Sequence, residues 1–188
     1  MDKKNELLAA AREVFAEKGY KAAGISDIAK RSQMAVGSFY KYYESKEAIF
    51  LEVYIAENSR IREETMRRVD WQGDPEAIVE QLFAVTFELI SPNKILAEWN
   101  KPGISQILHD YYNQDAGRAS NAFHQFLIQT FSQRLQEEGF SKEKIAEIMK
   151  VYDLIYYIDM HVTEQEFLGY FDSLETLVKY FVKGIFSK

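Results

Sequence analysis

Residues 24–46 read GISDIAKRSQMAVGSFYKYYESK, from Gly24 to Lys46, and their pattern sets the fold of the whole chain. Ile28 and Ala29 lie on the apolar side of a first short helix, and Phe39 lies on the apolar side of a second. Ser32–Gln33–Met34 between them is too short and too polar for a strand. Two helices joined by a three- or four-residue turn make a helix-turn-helix, a unit that can set its second helix into the DNA major groove. The second segment carries Ser38, Tyr40, Lys41 and Tyr42, side chains suited to phosphate oxygens and base edges. Periodicity alone fits an ordinary helical hairpin in an all-α core equally well.

Outward from this stretch the helical spacing continues. Leu7, Leu8, Ala11, Val14 and Phe15 predict a first helix over Lys3 to Lys18, with Gly19 as its left-handed stop. Gly24 caps the next helix, and Asp27 in its first turn suits the positive end of the dipole. Ser45 caps a long helix that runs to about Val69 without Gly or Pro. Asp74–Pro75 starts another, to Ile90. Lys94 to Trp99 is short and ambiguous, and a short helix ends near Tyr112. Further helices are expected over Asp115 to Glu138, with Ala119, Phe123, Phe126, Leu127 and Phe131 inward, and from Ser141 to 161. Thr163 to Tyr170 is a mixed connector, and Ser173 opens the last helix. The expectation is an all-α protein of about nine helices. A helix-turn-helix head over 1–47 is joined by helix 45–69 to a body over 48–188.

The net charge of −6 argues against a general nucleic-acid binder, but it is unevenly spread. Residues 1–47 hold nine Lys/Arg against seven Asp/Glu, a net +2, and the remainder carries −8. A mildly basic head on an acidic body fits a protein that presents only its head to DNA. There is no cysteine, which excludes disulfides and thiolate metal sites and fits a cytoplasmic location. No apolar run approaches the roughly 20 residues that span a bilayer. Charged residues interrupt the opening apolar stretch at helical spacing, so it reads as a helix and not as a signal peptide.

Gly19–Tyr20, Ile28–Ala29, Gly37, Phe39–Tyr40, Tyr42–Tyr43, Lys46–Glu47 and Ile49–Phe50 together resemble the N-terminal DNA-binding region of TetR-type transcriptional regulators. The spacing agrees without a gap over about forty residues. The resemblance implies a homodimer with two DNA-reading heads and a body that dimerises through its last two helices around an effector pocket. It places Ser26 against base or phosphate, and Val36, Gly37 and Lys41 against base edges. Ser38, Tyr40, Tyr42 and Lys46 fall at phosphate-contacting positions. A lysine in the first turn of a helix has the wrong sign for the dipole, and a phosphate docked there would reconcile the two. Three residues depart from the family pattern. Gly24 replaces a hydroxyl cap, Gln33 replaces the turn glycine, and Ala35 replaces the hydroxyl cap of the reading helix. Ala35, Val36 and Gly37 make an apolar reading surface suited to thymine methyl groups.

The body is rich in aromatic residues, most of which build core. Phe83, Phe87, Trp99, His109, Phe123, Phe126, Tyr152 and Tyr156 are candidates for an effector pocket. Trp99, His109, His124 and Tyr152 are its polar handles. Ile148, Tyr152, Ile155, Leu177, Phe181 and Ile185 are candidates for the dimer interface. His109, His124 and His161 show no metal-ligand spacing, even with Asp110 and Glu164 nearby, and no cofactor is implied. The expected function is a ligand-responsive regulator, a repressor released from operator DNA by a small apolar or aromatic effector. The alternative is a helical small-molecule- or partner-binding protein whose helix-turn-helix no longer reads DNA. No catalytic spacing supports an enzyme.

Overall fold

The computed structural model of the chain describes residues 2–101, 103–114 and 121–187. Among these residues the regular structure is helical, with no strand. The first four α-helices are α1 (Lys3–Ala22), α2 (Ile25–Arg31), α3 (Val36–Phe39) and α4 (Lys46–Arg68). The others are α5 (Pro75–Ile90), α6 (Ser105–Asn113), α7 (Ala122–Glu137), α8 (Lys142–His161) and α9 (Tyr170–Phe186). A 3₁₀ turn at Leu96–Asn100 stands where Lys94 to Trp99 was ambiguous. The all-α class is as expected. The expected helix start at Asp115, and Ala119 with it, lie outside the described residues.

The local signals explain most boundaries. Asp2 accepts from the Lys4 N–H at 3.2 Å and Ser45 Oγ from Ala48 at 3.1 Å, each satisfying an orphan donor of a helix start. Ser141 Oγ does the same for Lys144 at 3.2 Å. Gly19, at φ 74, interrupts α1 where a left-handed stop was expected. α1 resumes past Gly19 to Ala22, beyond the expected end at Lys18, and the start of the last helix also needs correction. The last helix opens at Tyr170 behind Gly169 and not at Ser173. Tyr170 and Phe171 pack on an apolar core, and that burial carries the helix one turn further back.

Packing divides the chain into two compact units, one over 1–62 and 87–110, the other over 63–86 and 111–188. By packing, the first unit therefore reaches beyond the head expected over 1–47. Its core holds Leu7, Phe15, Ile28, Phe39, Ile49 and Phe50, all fully buried. Burial of each such side chain contributes about 1.5–3 kcal/mol. Phe50 takes Phe15 edge-on at 4.9 Å and Tyr20 at 4.8 Å. In the second unit, Val79 and Phe83 of α5 pack with Leu174 and Val182 of α9, and Ile155, Phe171 and Phe181 close around them.

Candidate nucleic-acid interface

The turn between α2 and α3 is built by backbone hydrogen bonds. The Met34 N–H donates to Ala29 O at 2.8 Å and the Gln33 N–H to Lys30 O at 3.2 Å. This pair of bonds is the Schellman closure of a helix, which needs a left-handed residue at the position Gln33 occupies. Gln33 adopts it, at φ 55. Ser32 Oγ donates back to Ile28 O at 3.0 Å, so the last turn of α2 is tied down without a glycine. At the start of α2 the Gly24 side lacks an oxygen, but Asp27 Oδ2 accepts from the Gly24 N–H at 3.0 Å. Ala35 precedes α3 and supplies no side-chain cap.

The second helix is shorter than its sequence suggests. It ends at Phe39, and Tyr40, Lys41 and Tyr42, expected on that helix, lie in the turn beyond it. Phe39 and Tyr43 are both buried, and Phe39 O accepts from the Tyr42 and Tyr43 N–H groups at 2.9 and 3.1 Å. Those bonds draw the chain into a tight turn toward α4, with Tyr40, Lys41 and Tyr42 on the outside. Ser26, Ala35, Val36, Gly37, Tyr40, Lys41 and Tyr42 are all exposed, and Ser38 is half-buried. Seven of the nine residues expected at DNA thus lie open on α2, α3 and the turn after α3.

Lys46 is placed differently. Its ammonium donates to Tyr20 O at 3.0 Å and Ala23 O at 3.1 Å and stands 4.2 Å from the Tyr20 ring centroid. A cation in the first turn of α4 is poorly placed for α4 itself. It is well placed for the carbonyls at the C-terminal end of α1, where the dipole is negative. The side chain thus holds α1 and α4 together. The Tyr20 hydroxyl completes the junction by donating to Glu47 Oε1 at 2.5 Å. Burial, and then this carboxylate, push the Tyr20 phenol well above its usual range.

Other cations of the head are also engaged. Arg31 reaches Glu13 at 2.9 Å and Glu17 at 2.8 Å, and Lys18 reaches Asp27 at 2.9 Å, all joining α1 to α2. Lys21, Lys30 and Lys41 are exposed and make no ion pair among the described residues. Of the two lysines expected at DNA, Lys41 thus keeps its charge available, while Lys46 is engaged by the carbonyls of Tyr20 and Ala23.

The pocket candidates fall in both units. In the first, Trp99 lies 6.3 Å from Tyr54 and 4.1 Å from His109, whose Nε2 is buried without a hydrogen-bond partner, and Phe87 is exposed. In the second, Phe83 and Phe123 are buried, and Phe126 packs edge-on against Trp71 at 4.8 Å. There His124 stacks on Tyr156 at 3.7 Å and meets the Tyr152 hydroxyl through Nδ1 at 3.2 Å, while Asn121 Nδ2 donates to Tyr156 at 3.2 Å. Burial holds the His124 pKa down, against the opposing charge of Asp153. Among the described residues no three metal-ligating side chains gather.

Of the interface candidates, Ile148 is buried, Ile155 and Phe181 pack on the core of their own unit, and only Leu177 is clearly exposed. Tyr152 and Ile185 are half-buried. The open apolar side chains of α8 and α9 are instead Val151, Leu154, Tyr157, Leu177 and Tyr180.

Comparison with known proteins bears on the head. Residues 7–53 match the profile of the bacterial regulatory proteins of the tetR family. The HTH-type transcriptional regulator QacR of Staphylococcus aureus is 34% identical over 64 residues, 34% of each chain. The uncharacterized HTH-type transcriptional regulator YvdT of Bacillus subtilis is 48% identical over 56 residues, 30% of this chain and 28% of its own. The matched regions span about a third or less of these curated relatives. The crystal structure of a TetR variant (Q116A) from Acinetobacter baumannii, in complex with minocycline, has the same fold. It covers 98% of this chain and 96% of its own at TM-score 0.52 and 12% identity. The matched description is one of regulatory proteins and not of enzymes.

Proposed function

We infer that this chain, whose residues 7–53 match the tetR family of bacterial regulatory proteins, is a regulator of that family and acts by binding DNA. The observation that carries this reading is the arrangement of the head. A buried core of α1, α2, Phe39 and α4 stands behind a surface that leaves Ser26, Val36, Tyr40, Lys41 and Tyr42 open to a partner. Tyrosine hydroxyls and a free ammonium beside a short second helix suit phosphates on either side of a major groove. The protein works in the cytoplasm as a repressor, and no helix among the described residues is long and apolar enough to cross a membrane.

It works as a homodimer, with two heads on a pseudo-palindromic operator about 34–36 Å apart. The dimer forms through Val151, Leu154 and Tyr157 of α8 and Leu177 and Tyr180 of α9, all exposed in the single chain. Gly184 lies one turn beyond Tyr180 on the same face, and a Cβ there would meet nothing within 4 Å, so a second helix can approach closely. A small apolar or aromatic effector binds the body and releases the DNA. The group formed by His124, Tyr152 and Tyr156 supplies hydrogen bonds and a stacking surface for it. The TetR variant of the same fold was crystallised in complex with minocycline.

Binding to DNA selected from a random duplex library, titrated across salt, tests the reading. Lys41→Ala is expected to weaken binding and to lower the salt slope by about one per head. If Lys41→Ala leaves both affinity and slope at the wild-type value, the surface has been misassigned. Lys46→Ala is a poorer probe, because it also breaks the junction of α1 and α4.

A further inference from the structure

We propose that the cleft between α1 and α2 binds a small oxyanion, the carboxylate or phosphate group of a small molecule, through Lys30, Arg31 and Gln33. None of the residues expected at DNA or at the effector site of the body lines this cleft.

Three observations carry it. The first is the cleft itself, which encloses about 390 Å³. It is lined by Val14 and Lys18 of α1, Asp27, Lys30 and Arg31 of α2, and Gln33 of the turn. Small-molecule sites usually enclose roughly 300–1,000 Å³. The second is the kind of hydrogen-bonding capacity left unused there. The carboxylates are engaged. Asp27 accepts from the Gly24 N–H and pairs with Lys18, and Glu13 and Glu17 of α1 both pair with Arg31. Arg31 donates from Nη1 to both glutamates and from Nη2 to Glu17. Its Nε–H and the other Nη2 proton remain, a two-donor edge of the kind that takes an oxyanion. Neither the Lys30 ammonium nor the Gln33 amide has a partner among the described residues. Free donors without free carboxylates fit a carboxylate or phosphate ligand. Lys18, Lys30 and Arg31 are balanced by Asp27, Glu13 and Glu17, so directed hydrogen bonds and not a net field select it. The third observation is Gln33, which keeps an exposed side chain at φ 55, where glycine would be unstrained. Nothing its amide touches within the chain offsets that strain, and contact with a bound molecule does.

The full chain is titrated with inorganic phosphate and, separately, with succinate at constant ionic strength, and backbone amide shifts are followed by NMR. At least one anion is expected to saturate, with shifts centred on the cleft residues. The tighter of the two tells whether the ligand carries a phosphate or a carboxylate. Lys30→Ala should weaken binding about tenfold, the worth of a charge-assisted hydrogen bond. Lys21→Ala, which removes an exposed lysine outside the cleft, should leave it unchanged. Gln33→Gly should raise the melting temperature and still weaken binding about fivefold, whereas a merely structural role would move only the first. The proposal is overturned if neither anion saturates, if Lys21→Ala weakens binding as much as Lys30→Ala, or if Gln33→Gly binds like wild type. It is also overturned if Lys30→Ala binds both anions like wild type, and a loss of DNA affinity in that variant would then assign Lys30 to the DNA phosphates.

Discussion

Gln33 shows how far one residue constrains a turn. A side chain at φ 55 costs roughly 1–2 kcal/mol relative to glycine, because the Cβ crowds the backbone oxygen. The two backbone hydrogen bonds to Ala29 and Lys30 retain the conformation regardless. Gln33→Gly is therefore expected to stabilise the protein by about 1 kcal/mol, somewhat less than the strain because glycine also loosens the unfolded chain. Gln33→Ala should bring no such gain, since it keeps the Cβ. Urea unfolding checks both, with a shifted midpoint and an unchanged slope for the glycine variant. This strain was visible in the sequence, because a family position that carries glycine held a residue with a Cβ. The fate of Lys46 was not visible. Its wrong sign for α4 was plain, but its partners, the Tyr20 and Ala23 carbonyls, lie more than twenty residues away in the chain.

At the scale of elements, Glu57 of α4 joins segments that the sequence treats separately. It is 3% exposed, yet it takes Arg12 of α1 at 2.8 Å, Arg60 of its own helix at 2.7 Å, and Asn93 after α5 at 2.8 Å. Burial alone would raise its pKa. Hydrogen bonds from Arg60, Arg12 and Asn93 outweigh it and bring the pKa down to about 2. A carboxylate depressed in the folded state contributes stability that is complete above its unfolded pKa, near 4.5, and is lost as pH falls toward 2. With allowance for half-exposed guanidinium partners, that contribution is about 2 kcal/mol. Glu57→Gln should lose about that much at neutral pH, and the gap between variant and wild type should narrow between about pH 4.5 and 2. Urea titrations at pH 7 and pH 3 measure the gap, and an unchanged gap would rule out the linkage. Helix periodicity located α4, but a glutamate on a charged stretch gives no sign that it will be buried.

At the scale of the whole molecule, the α8 and α9 residues left open are, Leu177 apart, not those that periodicity selects. Ile148, Ile155 and Phe181 follow the strongest apolar spacing, and they serve the core of their own unit. Leu154 at 57% and Tyr180 at 70% exposure are the larger open side chains of the other face. Leu154→Glu combined with Tyr180→Glu is expected to leave the fold and helix content intact while converting the proposed dimer to a monomer. Sedimentation and circular dichroism would show both. A double variant that still sediments as a dimer would place the interface elsewhere.

The sequence by itself determined the all-α class, most helix boundaries and the likeness of the head to the tetR family. Each of these depends on residues close together in the chain, through spacing, caps and turn chemistry. Only the tertiary structure decided that Lys46 binds the end of α1, that Tyr40 to Tyr42 leave the second helix, and that Glu57 is a buried ionic junction. It alone also decided which face of α8 and α9 remains uncovered. An amphipathic helix with apolar residues on two sides has two equally good stripes. Which of them is buried depends on distant partners that local periodicity does not encode.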